Sequence, residues 1–200
     1  MNDTFVTKAA EWDSPDKINM TKKFVDELFY HINPRPTWKA LEIGTGTGLV
    51  GLQIESFVRK IILEDTSESM LTVLKQKLNE NSHVEILHGE VTDYKQQDID
   101  LIFSCMAFHH IPDIESTLQH LATITKTGAW VVVGDLVTED GSFHRFELIP
   151  HRGFDTTVLS KQFAHAGFDV KLVKVYNVIS RTIDSVTTHY EQFMLIAKRL

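Results

Sequence analysis

Residues 41–48 read Leu41-Glu42-Ile43-Gly44-Thr45-Gly46-Thr47-Gly48, and their reading decides the fold. The apolar run Trp38 to Ile43 has the length and continuity of a strand buried on both faces. It feeds straight into glycines at alternate positions, and Leu49 to Phe57 beyond them carries helical spacing. Glycine adopts backbone dihedrals that other residues avoid, so a glycine turn lets the chain approach a ligand closely. The helix behind such a turn presents free N–H groups. A plain strand-to-helix turn is satisfied with fewer glycines. Three within five residues, with the acid Glu42 before them, point to a binding loop.

Outward from this loop, strands and helices alternate. Ser14-Pro15 starts a helix, with Ser14 as cap and Pro15 in the first turn. Its stripe of Ile18, Phe24, Val25, Leu28 and Phe29 ends near His31, before Pro34 and Pro36. Arg59 to Glu64 reads as the second strand, and Ser67 caps a helix with the apolar face Met70, Leu71, Leu74 and Leu78. Val84 to His88 and Ile99 to Ser104 read as the third and fourth strands. Asp113 starts a helix through Leu118, Leu121 and Ile124, and Gly128 turns into a fifth strand, Ala129 to Leu136. This alternation predicts βαβ units and a mostly parallel sheet. Thr156 to Ala166 is then a helix closed by Gly167. Phe168 to Ile179 and Ser185 to Ala197 follow as two strands with no helix between them, so they must be antiparallel.

A chain of 200 residues suits one α/β domain, and a hydrophobic fraction of 42% supports a sizeable core. Twenty basic residues against 27 acidic ones give a net charge of -7, and no basic run stands out. A nucleic-acid partner is therefore disfavoured, because phosphate neutralisation needs concentrated positive charge. The longest apolar stretches, such as Ala129 to Val133, are of strand length, too short to cross a bilayer. The single cysteine, Cys105, cannot form an internal disulfide, and residues 1–17 lack a secretory pattern. A cytoplasmic location is the expectation.

Spacing alone leaves two cofactors open. Gly46-Thr47-Gly48-Leu49-Val50-Gly51 matches the GxGxxG of dinucleotide sites, and Asp65 lies 19 residues after Gly46, near the acid such sites use. The wider pattern resembles the class I S-adenosylmethionine-dependent methyltransferases, and among them the small-molecule type. Glu42-x-Gly44-x-Gly46-x-Gly48 resembles their first motif, and Asp65-Thr66-Ser67-Glu68-Ser69-Met70-Leu71 their D-x-S-x-x-M-L after strand two. Ile99 to Ser104 with Phe108-His109-His110-Ile111 resembles their fourth strand and its loop. Gly128 to Asp135, Gly167-Phe168 and Phe193 to Lys198 resemble the remaining strands, so the likeness spans nearly the whole chain.

The resemblance implies an α/β, Rossmann-like, seven-stranded sheet in the order 3-2-1-4-5-7-6. Strand seven is antiparallel and helices cover both faces. It implies a single domain: residues 1–36 as a lid region, 37–136 as the cofactor-binding core, 137–200 as the substrate-side loop and hairpin. It implies S-adenosyl-L-methionine as methyl donor, S-adenosyl-L-homocysteine as product and a small-molecule acceptor, with neither nucleic acid nor membrane as partner. An NAD-dependent oxidoreductase and a catalytically silent binding protein are the alternatives on the same scaffold.

By the same resemblance, Asp65 receives the ribose hydroxyls, with Glu64 as the neighbouring alternative, and Glu42 serves the methionine end. Gly44, Thr45, Gly46 and Gly48 form the loop, while Thr66, Met70, Glu90, Val91 and Cys105 complete the cofactor contacts. Glu90 stands where the family usually has Asp, and Met70 doubles as core. Trp12 and the helix after it would cover the cofactor.

On the acceptor side, His109 and His110 follow strand four, at the carboxyl edge where open α/β sheets bind ligands. Asp140-Gly141-Ser142-Phe143-His144 and His151-Arg152-Gly153-Phe154-Asp155 resemble segments of a subgroup of small-molecule methyltransferases. His110 and His144 are the candidate catalytic groups; His109, Phe143 and His151 line the acceptor pocket, with Phe146 beside them. A metal held by Asp135, His144 and His151 is disfavoured, because these residues lack tight ligand spacing, and no metal is expected. Strand four ends Ser104-Cys105-Met106-Ala107, not in the Asn-Pro-Pro-aromatic pattern of amino-group methyltransferases.

Overall fold

The computed structural model describes residues 5–80, 82–144, 148–183 and 185–200. Seven strands form one sheet: β1 (Lys39–Ile43), β2 (Lys60–Asp65), β3 (Val84–His88), β4 (Ile99–Cys105), β5 (Thr125–Leu136), β6 (Phe168–Ile183) and β7 (Val186–Arg199). Their order is β3-β2-β1-β4-β5-β7-β6, as the resemblance implied. The pairs from β3 to β5 are parallel, whereas β7 runs antiparallel to both β5 and β6.

Among the described residues five α-helices accompany the sheet: α1 (Pro15–His31), α2 (Gly51–Ile54), α3 (Glu68–Lys77), α4 (Ile114–Ile124) and α5 (Thr156–His165). Ser14 caps α1 and Ser67 caps α3, each hydroxyl accepting a backbone N–H of the first turn. Asp113 and Asp155 do the same for α4 and α5. Among the described residues no helix is long and apolar enough to cross a membrane.

Successive side chains of a strand point to opposite faces, and this divides the core in two. Leu41, Ile43, Ile102, Val131, Val133, Phe193 and Leu195 meet Leu118 and Leu121 of α4 and Leu159 and Phe163 of α5 on one face. Ala40, Leu101, Phe103, Val132, Met194 and Ile196 meet Phe24, Val25 and Leu28 of α1, together with Leu71 and Leu74 of α3, on the other. Burying each such side chain is worth about 1.5–3 kcal/mol, so the sheet is clamped from both sides.

Three elements differ from the sequence expectation: β5 begins at Thr125, four residues before the expected Ala129, so Gly128 lies within it. The helix predicted over Leu49 to Phe57 is shorter, a true helix only over Gly51–Ile54 before it tightens into a 3-10 turn over Glu55–Phe57. Gly48, in the left-handed region at φ +85°, delays the first helical turn, and the tightening brings buried Val58 down towards β2. The terminal hairpin is longer than predicted, with β6 and β7 paired from Phe168–Arg199 out to Ile183–Val186. In sequence, polar Asn177, Ser180, Arg181 and Thr182 mask that extension.

Starting in the middle of the sheet, the chain places β1 beside β4. Connections leave these two strands in opposite directions, which opens a crevice beyond their carboxyl ends.

Candidate functional site

The β1 tip builds one wall of that crevice. Gly44, Gly46 and Gly48 all hold positive φ. A Cβ on Gly44 would stand 2.3 Å from the Ala107 Cβ, so the loops after β1 and β4 touch only because Gly44 lacks a side chain. A Cβ on Gly46 would meet nothing nearer than the Trp12 ring nitrogen at 3.7 Å, which leaves room above its backbone.

Three acids converge on this loop. The Glu42 carboxylate accepts from the Thr45 hydroxyl at 2.6 Å and from the Gly51 N–H. Glu64 accepts from the Gly44 N–H at 3.2 Å. Asp65 accepts from the Gly46 N–H at 2.7 Å and the Ser67 N–H at 2.8 Å. Glu42 and Glu64 are buried, while Asp65 is half-exposed at the strand tip. Burial, with the Asp65 charge adding to it, pushes the Glu42 carboxyl up to about 8. Glu64 is raised well above the usual carboxylate range for the same two reasons. Such a cluster is short of positive charge, so a cationic ligand relieves it and an anionic pyrophosphate would aggravate it. The residues therefore fit an adenosyl sulfonium carrying an amino-acid end. Asp65, at the open edge, has the position to meet ribose hydroxyls; Glu64, the other possibility at this strand end, is turned beneath the loop.

The β4 and β5 tips build the opposite wall. Met106 takes a left-handed φ of +57°, rare outside glycine, and its N–H donates to the Gly134 carbonyl at 2.8 Å. The chain then enters the 3-10 turn Phe108–His110, which sets His109 over the end of β5. His109 Nδ1 lies 2.8 Å from Asp135 Oδ1. The Leu136 N–H donates to that oxygen and the His109 backbone N–H to the other, so the carboxylate accepts throughout and the ring Nδ1 is the donor. Both side chains are buried, at 1% and 0% exposure. His109 Nε2 is also buried and has no hydrogen-bond partner among the described residues.

Around it gather the other predicted groups. The His110 ring lies 4.3 Å from His109 and the His144 ring 4.7 Å from His109, centroid to centroid. Phe143 packs edge-on against His144 at 4.7 Å, and Arg181 covers the other side of Phe143, donating to its carbonyl at 2.6 Å.

The amino-terminal segment spans both walls. Phe5 stacks edge-on with Trp12 at 5.5 Å and with His110 at 6.0 Å. Asp13 accepts from the Thr47 hydroxyl at 2.5 Å and pairs with Lys77.

The fold thus brings Glu42, Gly44, Thr45, Gly46, Gly48 and Asp65 into one wall, and His109, His110, Phe143 and His144 into the other. Thr66 is exposed beside Asp65, and Met70 is buried at the start of α3. Val91 is buried in the core, with exposed Glu90 capping the short turn that begins there. Cys105 ends β4, its thiol pushed up by burial. The His151 ring does not join the other imidazoles: its Nε2 lies 2.9 Å from the Ile111 carbonyl and its backbone N–H donates to the His109 carbonyl at 3.2 Å, so it braces the turn after β4. Phe146 lies outside the described residues. Sequence reading weighed Asp135 only as a metal ligand and missed its contact with His109; an acid closing the apolar run Ala129 to Leu136 was the available signal. The roles of Asp13 and Thr47 had no such signal.

Residues 41–133 match the methyltransferase domain family. The chain is 28% identical over 131 residues to malonyl-[acyl-carrier protein] O-methyltransferase 1 of Ilyobacter polytropus, covering 64% of this chain and 48% of that protein. It is 23% identical to the demethylmenaquinone methyltransferase of Staphylococcus saprophyticus, covering 66% of this chain and 60% of that one. The chain spans about half the length of the curated relatives it matches. Among solved structures, a SAM-dependent methyltransferase from Aquifex aeolicus superposes with a TM-score of 0.71 at 18% identity, over 98% of both chains. The methyltransferase in complex with the Haloferax volcanii Trm112 activator superposes at 0.82 with 15% identity, over 100% of this chain and 98% of that one.

Proposed function

We propose that the chain is a class I S-adenosylmethionine-dependent methyltransferase that transfers the cofactor's methyl group to a small molecule seated on the histidine side of the crevice. The observation that carries the proposal is the contrast of chemistry across the crevice. Glu42, Glu64 and Asp65 crowd the glycine loop, and His109, His110 and His144 face them from the other strand tips.

When bound, the cofactor supplies an electrophilic methyl on a sulfonium, which an acceptor displaces in line. Catalysis then rests mainly on holding donor and acceptor in register and keeping water out. Asp65 would hold the ribose and Glu42 the methionine end, with Gly44 to Gly48 letting the backbone close in. Thr45, Thr66, Met70, Glu90, Val91 and Cys105 would complete the contacts. His110 and His144 would take up the acceptor's proton, and Phe143 would form an apolar floor. Trp12, with Phe5, would act as a lid joining the two walls.

A small acceptor is supported by the net charge of -7 and the absence of a basic run. The nicotinamide reading of the same glycines loses support, because a pyrophosphate beside Asp65 would hold the buried Glu42 and Glu64 carboxyls still further from ionisation, whereas a sulfonium would favour it.

Thermal shift tests the cofactor half: S-adenosylhomocysteine raises the melting temperature and NADH does not. Methyl-labelled cofactor incubated with a fractionated extract tests the rest. Label in the low-molecular-weight fraction is the expected result. Label only in macromolecules, or none despite cofactor binding, overturns the small-molecule reading.

A further inference from the structure

One ring nitrogen from each of His109, His110 and His144 lies within 4.8 Å of the others, a grouping in which any ion would be held by imidazole alone. Sequence spacing pointed elsewhere, to Asp135, His144 and His151, and to no metal at all. The folded chain ties His151 to the Ile111 carbonyl and moves Asp135 behind His109 instead.

We propose that His109, His110 and His144 form a binding site for a divalent transition metal of the zinc class, with Asp135 as the residue that orients the central ligand. The inference rests on the histidine-side reading above and deepens it, since the metal would hold and polarise the acceptor where bare imidazole would only accept its proton.

Four observations carry it. First, the buried His109 Nε2 has no hydrogen-bond partner among the described residues, and a buried polar atom left so is costly unless something occupies the space before it. Second, Asp135 accepts a hydrogen bond from the His109 Nδ1–H, which leaves the Nε2 lone pair as the only coordinating position of that ring. A carboxylate behind a histidine is the usual support of a metal-binding imidazole, fixing its tautomer and raising its basicity. Third, tetrahedral coordination at about 2.0–2.1 Å places ligand nitrogens roughly 3.3–3.4 Å apart. The observed limit of 4.8 Å closes to that spacing with shifts on the order of an ångström, which His144 can make from its loop. Fourth, His110 is exposed, so that side of the site stays open to a fourth ligand from solvent or acceptor. Three imidazoles with one open position match catalytic rather than structural zinc, and neutral nitrogen donors select zinc, nickel, copper or iron over magnesium or calcium.

The test uses the full chain, stripped by chelator and titrated with Co2+ and with Zn2+, without acceptor. One equivalent should bind, and Co2+ should give the visible absorption of four-coordinate cobalt, displaced by Zn2+. His144→Ala, on the loop, should abolish that spectrum while leaving S-adenosylhomocysteine binding within twofold. Asp135→Asn should weaken the metal about 10–100-fold. Absence of a bound equivalent, or an unchanged spectrum in a His110→Ala/His144→Ala double variant, overturns the site. Metal failure alongside intact S-adenosylhomocysteine binding leaves the methyltransferase reading standing; loss of the latter in the parent chain would instead sink that reading.

Discussion

The two walls of the crevice are made by opposite means. The β1–β2 wall comes from two short segments: glycines at 44, 46 and 48 follow one strand, and the acids at 42, 64 and 65 all accept hydrogen bonds from that glycine loop, Glu42 from the Thr45 hydroxyl and Glu64 and Asp65 from the Gly44 and Gly46 N–H groups. The β4–β5 wall is assembled from a distance, with His109 and His110 after one strand, Asp135 within the next and His144 on the loop beyond it. The first wall crowds three carboxyl groups, two of them held back from ionising by burial, and a cation nearby would favour their charged forms. The second is imidazole around one buried carboxylate, and suits proton or metal chemistry. A cofactor common to many acceptors is served by local, reusable chemistry, whereas an acceptor is met by side chains that the fold must bring together.

Four changes sharpen or break that contrast. Asp135→Ala should have the largest effect. It strips a buried carboxylate from the His109 ring and from two backbone N–H groups, and removing one partner of a buried pair costs about 3–5 kcal/mol. Urea unfolding measures the loss, and a loss under 1 kcal/mol would mean that the second wall does not depend on Asp135. Asp65→Ala acts on the first wall by weakening cofactor affinity by about 1.5–3 kcal/mol, through lost charge-assisted hydrogen bonds. Calorimetry with S-adenosylmethionine reads it, and unchanged affinity would remove Asp65 from the site.

Glu42→Gln should be smaller and pH-dependent. The native Glu42 carboxyl keeps its proton up to about 8, against 4.5 for the unperturbed group. Between those values the folded state binds more protons than the unfolded one, so stability falls as pH rises through the window. The amide removes that slope. At pH 8.5 the variant without cofactor should gain roughly 1–2 kcal/mol over the parent, after allowing for imperfect hydrogen bonds. At pH 4, where Glu42 is protonated, the gain should vanish and the amide's poorer hydrogen bonds should leave the variant slightly less stable than the parent. Parallel stability-pH curves would contradict the assignment. Lys22→Ala lies outside both walls and breaks only the exposed pair with Asp26, so it should cost less than about 0.5 kcal/mol in the same unfolding assay and leave cofactor binding unchanged.

The same division explains what could be read from the sequence. The succession of strands and helices and the glycine–acid segment were legible because they rest on local signals, apolar runs of strand length, caps at Ser14 and Ser67, and glycines in positions where others are strained, whereas the strand order came from the family resemblance. The terminal hairpin was legible as a pair without an intervening helix, though not to its full length. His109, His110 and His144 were singled out one by one, but their meeting depends on the left-handed turn at Met106 and on the path of the loop after β5. Neither leaves a mark in residue spacing. The contact of the His151 ring with the Ile111 carbonyl was hidden for the same reason, since a backbone carbonyl is a partner that any sequence would supply.

The place of β7 between β5 and β6 has a kinetic consequence. Gly134, Asp135 and Leu136 pair with Met194, Phe193 and Gln192, residues that lie far along the chain. Contacts of such long separation form late, because loop closure must precede any gain from pairing. Assembly of the molecule therefore has an order: the glycine–acid half can gather from residues 39–105, while the carboxylate behind His109 is fixed only when the hairpin docks. Pulsed hydrogen exchange during refolding should show β1 and β2 amides protected before those of β5, and any species trapped between the two stages would grip the methyl donor with nothing to give it to.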